Sequence, residues 1–172
     1  NSAPVLANIE AGALSYTEGG AATPITGNLT TADVDDTNLE SATIQITGNL
    51  DNTEDVLAFA NQLGITGSFT SSTGLMTLTG TSSVANYQTA LRAVTYQNTD
   101  TDDPSTATRT VTFIVNDGTD PSNSVTRNIS IASNSAPVLA NIEAGALSYT
   151  EGGAATPITG NLTTADVDDT NL

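Results

Sequence analysis

The chain has 172 residues, with 19 acidic residues against three arginines, no histidine and no cysteine, for a formal net charge of −16. Nucleic acid is excluded as a partner because phosphate backbones need a cationic stripe, and an anionic bilayer repels the chain in the same way. Without histidine, cysteine or lysine there is no usual general base, disulfide, thiolate zinc site or Schiff-base chemistry, so most enzyme classes fall, and no apolar run approaches the ~20 residues of a membrane span.

Short segments rich in threonine, valine and isoleucine recur between turn residues, at 5–9, 14–17, 41–47, 64–70, 74–81, 93–97, 107–116 and 124–132. This spacing predicts an all-β, antiparallel sandwich. Ala42, Ile44 and Ile46 face one way while Thr43, Gln45 and Thr47 face the other. Val111, Phe113 and Val115 alternate in the same manner with Thr110, Thr112 and Ile114. One stretch departs from this pattern. After the capping pair Ser82-Ser83, Val84, Tyr87, Leu91 and Val94 recur at three- or four-residue spacing, which predicts one short packing helix over 83–92 at an end of the sandwich.

The chain then reads Asn134-Ser135-Ala136-Pro137, the same four residues with which it opens, and residues 134–172 repeat residues 1–39 letter for letter. Residues 1–133 are read as one complete repeat and 134–172 as the N-terminal portion of the next, in a tandem array. A unit of 133 residues can bury a core, whereas 39 residues cannot, so the remnant is expected to be floppy unless a neighbour covers its apolar side or the sequence is a slice of a longer chain. Proline fixes its own φ and biases Ala136 toward extended geometry, making the joint short and stiff. Identity at surface and core positions alike suits a spacer or stalk better than a series of distinct catalytic sites.

The acidic residues cluster in the turns: Glu18 beside two glycines, then Asp33-Val34-Asp35-Asp36, Asp100-Thr101-Asp102-Asp103, and Asn116-Asp117-Gly118-Thr119-Asp120. The chain is expected to enter a unit at one pole and leave at the other, with 4–17 as one bent strand and 23–31 as its return. Glu18, Asp102 and Asp103 then fall at the exit pole, and Asp33, Asp35, Asp36, Asn116 and Asp117 at the entry pole. A junction between repeats would gather Glu18 and the 100–103 loop, Asn134, and Asp166, Asp168 and Asp169. Turn chemistry alone accounts for aspartate in any one loop. Convergence is what points to a cation, because two carboxylates ~5 Å apart repel by about 3 kcal/mol at an effective dielectric near 20. Calcium accepts 6–8 oxygen ligands in flexible geometry and suits such loops better than octahedral magnesium.

At these residues the chain resembles a cadherin-type repeat, and more closely the cadherin-like repeats of very large bacterial surface proteins. Asn134-Ser135-Ala136-Pro137 is similar to the Asn-Asp-x-x-Pro joint of that family, Asp166-Val167-Asp168 to its Asp-x-Asp, and Val115-Asn116-Asp117-Gly118 to its aspartate-bearing loop before the final strand. The resemblance implies an immunoglobulin-like sandwich and calcium ligation by Asp33, Asp35 and Asp117, by Asp166 and Asp168 in the second copy, and by Glu18 and Glu151 near the first strands. Ser2 and Ser135 stand where the family usually has a linker aspartate, and the Asp-Arg-Glu segment of animal cadherins is absent, with Asp102 and Asp103 as its nearest substitute. The resemblance also implies a location outside the cell or on its surface, in bacteria.

The leading expectation is a non-catalytic, calcium-rigidified stalk or filament-forming segment of a surface adhesin, with identical repeats as neighbours. One alternative is a module that polymerises with other copies of itself by strand exchange. Another is a glycan- or protein-binding adhesion domain, although tryptophan is absent and most aromatic residues fall at core-like positions.

Overall fold

In the computed structural model, which describes residues 1–168, the chain divides into two units, Asn1–Ser133 and a second that begins at Asn134. The first unit runs β1 (Val5–Ala7), β2 (Leu14–Thr17), β3 (Thr23–Pro24), β4 (Thr30–Ala32), β5 (Asn38–Gly48), β6 (Asp55–Ala58), β7 (Thr66–Thr70), β8 (Leu75–Ser83), α1 (Val84–Ala93), β9 (Thr95–Asn98), β10 (Arg109–Asn116) and β11 (Val125–Ala132). A six-stranded sheet in the order β2-β11-β10-β5-β8-β7 and a three-stranded sheet β3-β9-β6 form the sandwich, and β1 pairs with β4 as a separate ribbon.

The alternation in the sequence sets the inner face. Register pairs Val111 with Ile46, Phe113 with Ile44 and Val115 with Ala42, and all six are buried. Each large aliphatic side chain taken fully out of water contributes about 1.5–3 kcal/mol. Tyr16 and Tyr96 meet edge to face between the sheets, with ring centroids 5.2 Å apart. Tyr87 and Phe113 are buried as well.

The helix forms where expected. Ser83 is its N-cap, with extended backbone and a hydroxyl that accepts from the Asn86 amide at 3.1 Å. Its buried face is Tyr87, Ala90 and Leu91. The Thr31 amide donates to Gln88 and the Thr31 hydroxyl to the Val84 carbonyl, which ties the helix to β4.

Several boundaries differ from the sequence expectation. Residues 4–17 are not one bent strand but two strands in different sheets, because the chain breaks at Asn8, whose φ is +58°. The 23–31 return is likewise split into β3 and β4. β2 runs parallel to β11, pairing Leu14 with Ile129 and Tyr16 with Ile131, so the sandwich is not wholly antiparallel. Ala93 closes the helix rather than opening β9, and β6 (Asp55–Ala58) forms outside the segments expected to be strands.

In the second unit β12 (Val138–Ala140) pairs with β13 (Thr163–Ala165), reproducing the β1–β4 register residue for residue. The counterparts of β2 and β3, at 147–150 and 156–157, are not strands. The physical reason is plain: β1 and β4 both lie within the repeated 39 residues, whereas β2 and β3 pair with β11 and β9, which lie outside them.

Candidate metal centre

β5 and β10 are antiparallel neighbours, and their register pairs Ser41 with Asn116. The loop that leads into β5 therefore meets the turn that follows β10. Those two segments carry Asp33-Val34-Asp35-Asp36 and Asn116-Asp117-Gly118-Thr119-Asp120.

Each loop is held by its own aspartate. Asp33 Oδ1 accepts from the amides of Asp35 at 3.1 Å and Asp36 at 3.0 Å, and Asp117 Oδ1 accepts from those of Thr119 and Asp120, both at 2.7 Å. Asn116 Oδ1 accepts from the Gly118 amide, and Gly118 supplies the φ of +100° that the turn needs. The start of the chain is fastened to both loops: Asn1 Nδ2 donates to Asp117 at 2.9 Å and the Ser2 amide donates to Asp35 at 3.1 Å.

The result is a trio of half-buried carboxylates. Asp33, Asp36 and Asp117 each place an oxygen within 4.8 Å of the other two. Asp33 Oδ2 is buried and has no hydrogen-bond partner among the described residues. None of the three arginines compensates the trio: Arg92 donates to the Leu29 and Asn28 carbonyls, Arg109 pairs with Glu54 and Asp55, and Arg127 pairs with Glu10.

The electrostatics are divided accordingly. The Asp36 amide, and after it the Asp35 amide, hold the Asp33 carboxyl below the usual aspartate range. The Asp120 amide does the same for Asp117. Asp36 is pushed up, first by burial and then by the charges of Asp33, Asp35 and Asp117. Two carboxylates held below the usual range thus sit beside a third that burial and their charges push up.

Oxygen donors alone at this spacing fit a hard cation. Calcium–oxygen distances of about 2.3–2.6 Å let one ion bridge oxygens up to about 5 Å apart. Asp33, Asp36 and Asp117 are the residues that could hold one directly.

The other sequence-derived candidates lie elsewhere. Glu18 follows β2, and its amide donates to the Ala132 carbonyl at the end of β11, the opposite end of the unit from Asp117. Asp102 and Asp103 follow β9 at that same end, where their amides donate to Asp100 Oδ1 and where Tyr16 links Gly20 to Asn98. Inside the first unit, therefore, Glu18, Asp102 and Asp103 are not part of the trio. Asp35 adjoins it, holding Ser2 and the terminal amine. In the second unit the Ser135 amide donates to Asp168 at 2.8 Å, and the Asp168 amide to Asp166, as at Ser2 and Asp35 in the first. Asn134 and Glu151 belong to that unit too, and Asp169 lies outside the described residues.

Sequence reasoning missed one charged cluster. Arg109 is wholly buried, with its Nε 2.8 Å from Asp55, a second nitrogen on Glu54 and a third on the Ser105 and Ala107 carbonyls. The Tyr96 hydroxyl donates to Asp55 at 2.7 Å. The signal was parity: position 109 is in phase with the inward-facing 111, 113 and 115. Its hydrogen bonds join Asp55 of β6, Tyr96 of β9 and Arg109 of β10, so it locks the three strands together.

Compared with protein-family models, with curated proteins and with solved structures, the chain has no match.

Proposed function

We propose that this chain is a non-catalytic structural repeat that binds calcium at the end where the chain enters each unit, and that it serves as a stalk or filament-forming segment of an extracellular adhesin. The observation that carries the reading is Asp33 Oδ2, a buried carboxylate oxygen without a partner among the described residues, inside a trio of acids that no arginine neutralises. A cation there would join the Asp33–Asp36 loop to the Asp117 turn, and through Asn1 and Ser2 would fasten the entering chain to both. Repetition of the entry sequence at Asn134, with the Ser135–Asp168 contact in place, extends the same device to the next copy. An array whose units each stiffen their own entry segment becomes an extended spacer. No helix among the described residues is long and apolar enough to cross a membrane.

The test is thermal melting of the chain during a calcium titration. With a dissociation constant of ~0.1–1 mM, typical of extracellular modules, about 10 mM calcium stabilises the unit by roughly 1.5–3 kcal/mol. Asp33→Asn or Asp117→Asn removes that gain, while Asp102→Asn, at the other end of the unit, keeps it. A melting temperature unmoved by millimolar calcium would sink the reading.

A further inference from the structure

Residues 56–91 contain no charged residue and no proline, in a chain that carries 19 acids against three arginines. This stretch supplies most of β6, all of β7 and β8 and most of α1, and β7 is the outermost strand of the six-stranded sheet. An outermost strand offers unpaired amides and carbonyls to other chains, and proteins usually blunt it with charge, proline or a covering segment. β7 has neither charge nor proline, and its cover is partial. The Asn61 side chain accepts from the Gly67 amide at 2.9 Å, and Gln62 and Ile65 exchange backbone hydrogen bonds just before the strand begins. From there on, the alternation of the β7–β8 ladder turns the Gly67 carbonyl and both backbone groups of Phe69 away from β8, toward the open side.

The same edge holds the aromatic surface that the unit leaves open. Tyr16, Tyr87, Tyr96 and Phe113 are buried, and the remaining aromatic residues of 1–133, Phe59 and Phe69, are only half-buried. Phe59 lies over Gly67, where a Cβ would stand 2.8 Å from its ring, and Phe69 is the next inward-facing residue of β7. Leu63, in the turn that precedes the strand, is 44% exposed and extends this apolar rim.

We propose that β7 is a self-association edge, on which β7 of a second copy of this chain docks antiparallel and joins the two six-stranded sheets into one. Charge selects the occupant. A body of net charge −16 repels its own copies over any acidic surface, whereas two β7 edges meet with no charge on either side. Geometry sets the register. Phe69 is the residue of β7 whose amide and carbonyl both face outward, since Asn61 already takes the Gly67 amide, so the two-fold axis passes between the Phe69 residues of the two copies and each donates to the other's carbonyl. The two rings then stand opposite one another, and Ser68 of each copy faces Thr70 of the other. β7 lies inside residues 1–133, so the edge recurs in every repeat, and pairings too small to hold alone add up along two arrays lying side by side.

The test is sedimentation velocity of this chain from micromolar to millimolar protein, with amide exchange read at both ends of the range. A reversible monomer–dimer equilibrium is expected, with exchange at Phe69 slowing as concentration rises. Ser68→Asp/Thr70→Asp sets acid against acid at both cross-strand pairs and raises the dimer dissociation constant about tenfold or more, whereas Ser68→Asp/Thr70→Lys sets acid against base at the same pairs and restores the dimer. Both side chains are exposed, so the variants fold as the unaltered chain does. Thr126→Asp/Ser130→Asp adds the same charge at exposed positions of β11 and leaves the constant within about threefold. A monomer at every concentration overturns the proposal, as does a dimer that Ser68→Asp/Thr70→Asp leaves intact, which places the contact elsewhere. Loss in that variant without recovery in Ser68→Asp/Thr70→Lys overturns it as well, because the edge is then occupied by something other than an antiparallel β7.

Discussion

The Arg109 guanidinium lies 2.8 Å from the Asp55 carboxylate with both side chains wholly buried, so the unit's core contains an ion pair that no solvent screens. Burial works against the charge on Arg109, but hydrogen bonds and charges from Asp55 and Glu54 outweigh it and raise its pKa. Tyr96 is pushed up too, by burial and by its bond to Asp55. Removing one partner leaves the others uncompensated in a low dielectric. Arg109→Met is expected to cost about 3–5 kcal/mol, a drop in melting temperature of roughly 10 °C or more. Arg109→Met/Glu54→Gln/Asp55→Asn recovers part of that loss, because the stranded charges go with the arginine. Denaturant melts of the two variants measure the difference.

The fold was largely legible because period-two alternation survives in the strands that build the larger sheet. Ile44 and Phe113 point inward as their parity dictates, and Ser83 caps the helix as its position dictates. What could not be read was pairing across long separations. Nothing local in Leu14–Thr17 announces a parallel partner 115 residues away, and nothing in Glu54-Asp55 announces that both acids turn inward to meet Arg109. The candidate site was legible to a similar depth. Asp33, Asp36 and Asp117 were all singled out from turn composition, but the contributions of Asn1 and Asp120 depend on where the β5–β10 register sets the two loops.

Glu10 makes stability depend on pH. Burial pushes its pKa up, but the Thr26 hydroxyl, the Gly27 amide and Arg127 outweigh that and lower it from 4.5 to about 2. A carboxyl depressed in the folded state binds fewer protons there than in the unfolded chain, so its contribution is complete above about pH 4.5 and is lost as pH falls toward 2. That contribution is on the order of 3 kcal/mol. The melting temperature is expected to fall across this window, and Glu10→Gln to start lower at neutral pH and fall less steeply. Equal slopes for the two proteins would remove Glu10 as the cause.

Asp36 gives a change of sign between conditions. Its pKa is raised by burial and by the charges of Asp33, Asp35 and Asp117, so without a cation its ionised form opposes folding, and this penalty grows as pH rises through and above the ordinary aspartate range. In EDTA at neutral pH, Asp36→Asn is expected to melt higher than the unaltered chain. In millimolar calcium the order reverses, because the variant has lost a ligand while the unaltered chain is stabilised by the ion. Paired calorimetric scans with chelator and with calcium distinguish this crossover from a uniform shift, which would show that Asp36 acts only through local packing.

Gly118 links backbone conformation to the same site. Its φ of +100° is costly for any residue with a side chain, and a Cβ there would stand 3.0 Å from Glu40 Cγ, a contact the flexible glutamate can relieve. The strain that remains is backbone strain, of order 1–3 kcal/mol. Asp117 depends on this turn, since its Oδ1 is fixed by the amides of Thr119 and Asp120 immediately beyond Gly118. Gly118→Ala should therefore lower stability modestly in chelator and weaken calcium binding by calorimetric titration, through displacement of Asp117. Gly12→Ala, where a Cβ meets nothing within 4 Å, serves as the control that changes neither. Calcium affinity unchanged in Gly118→Ala would mean that the Asp117 carboxylate is positioned without help from the turn.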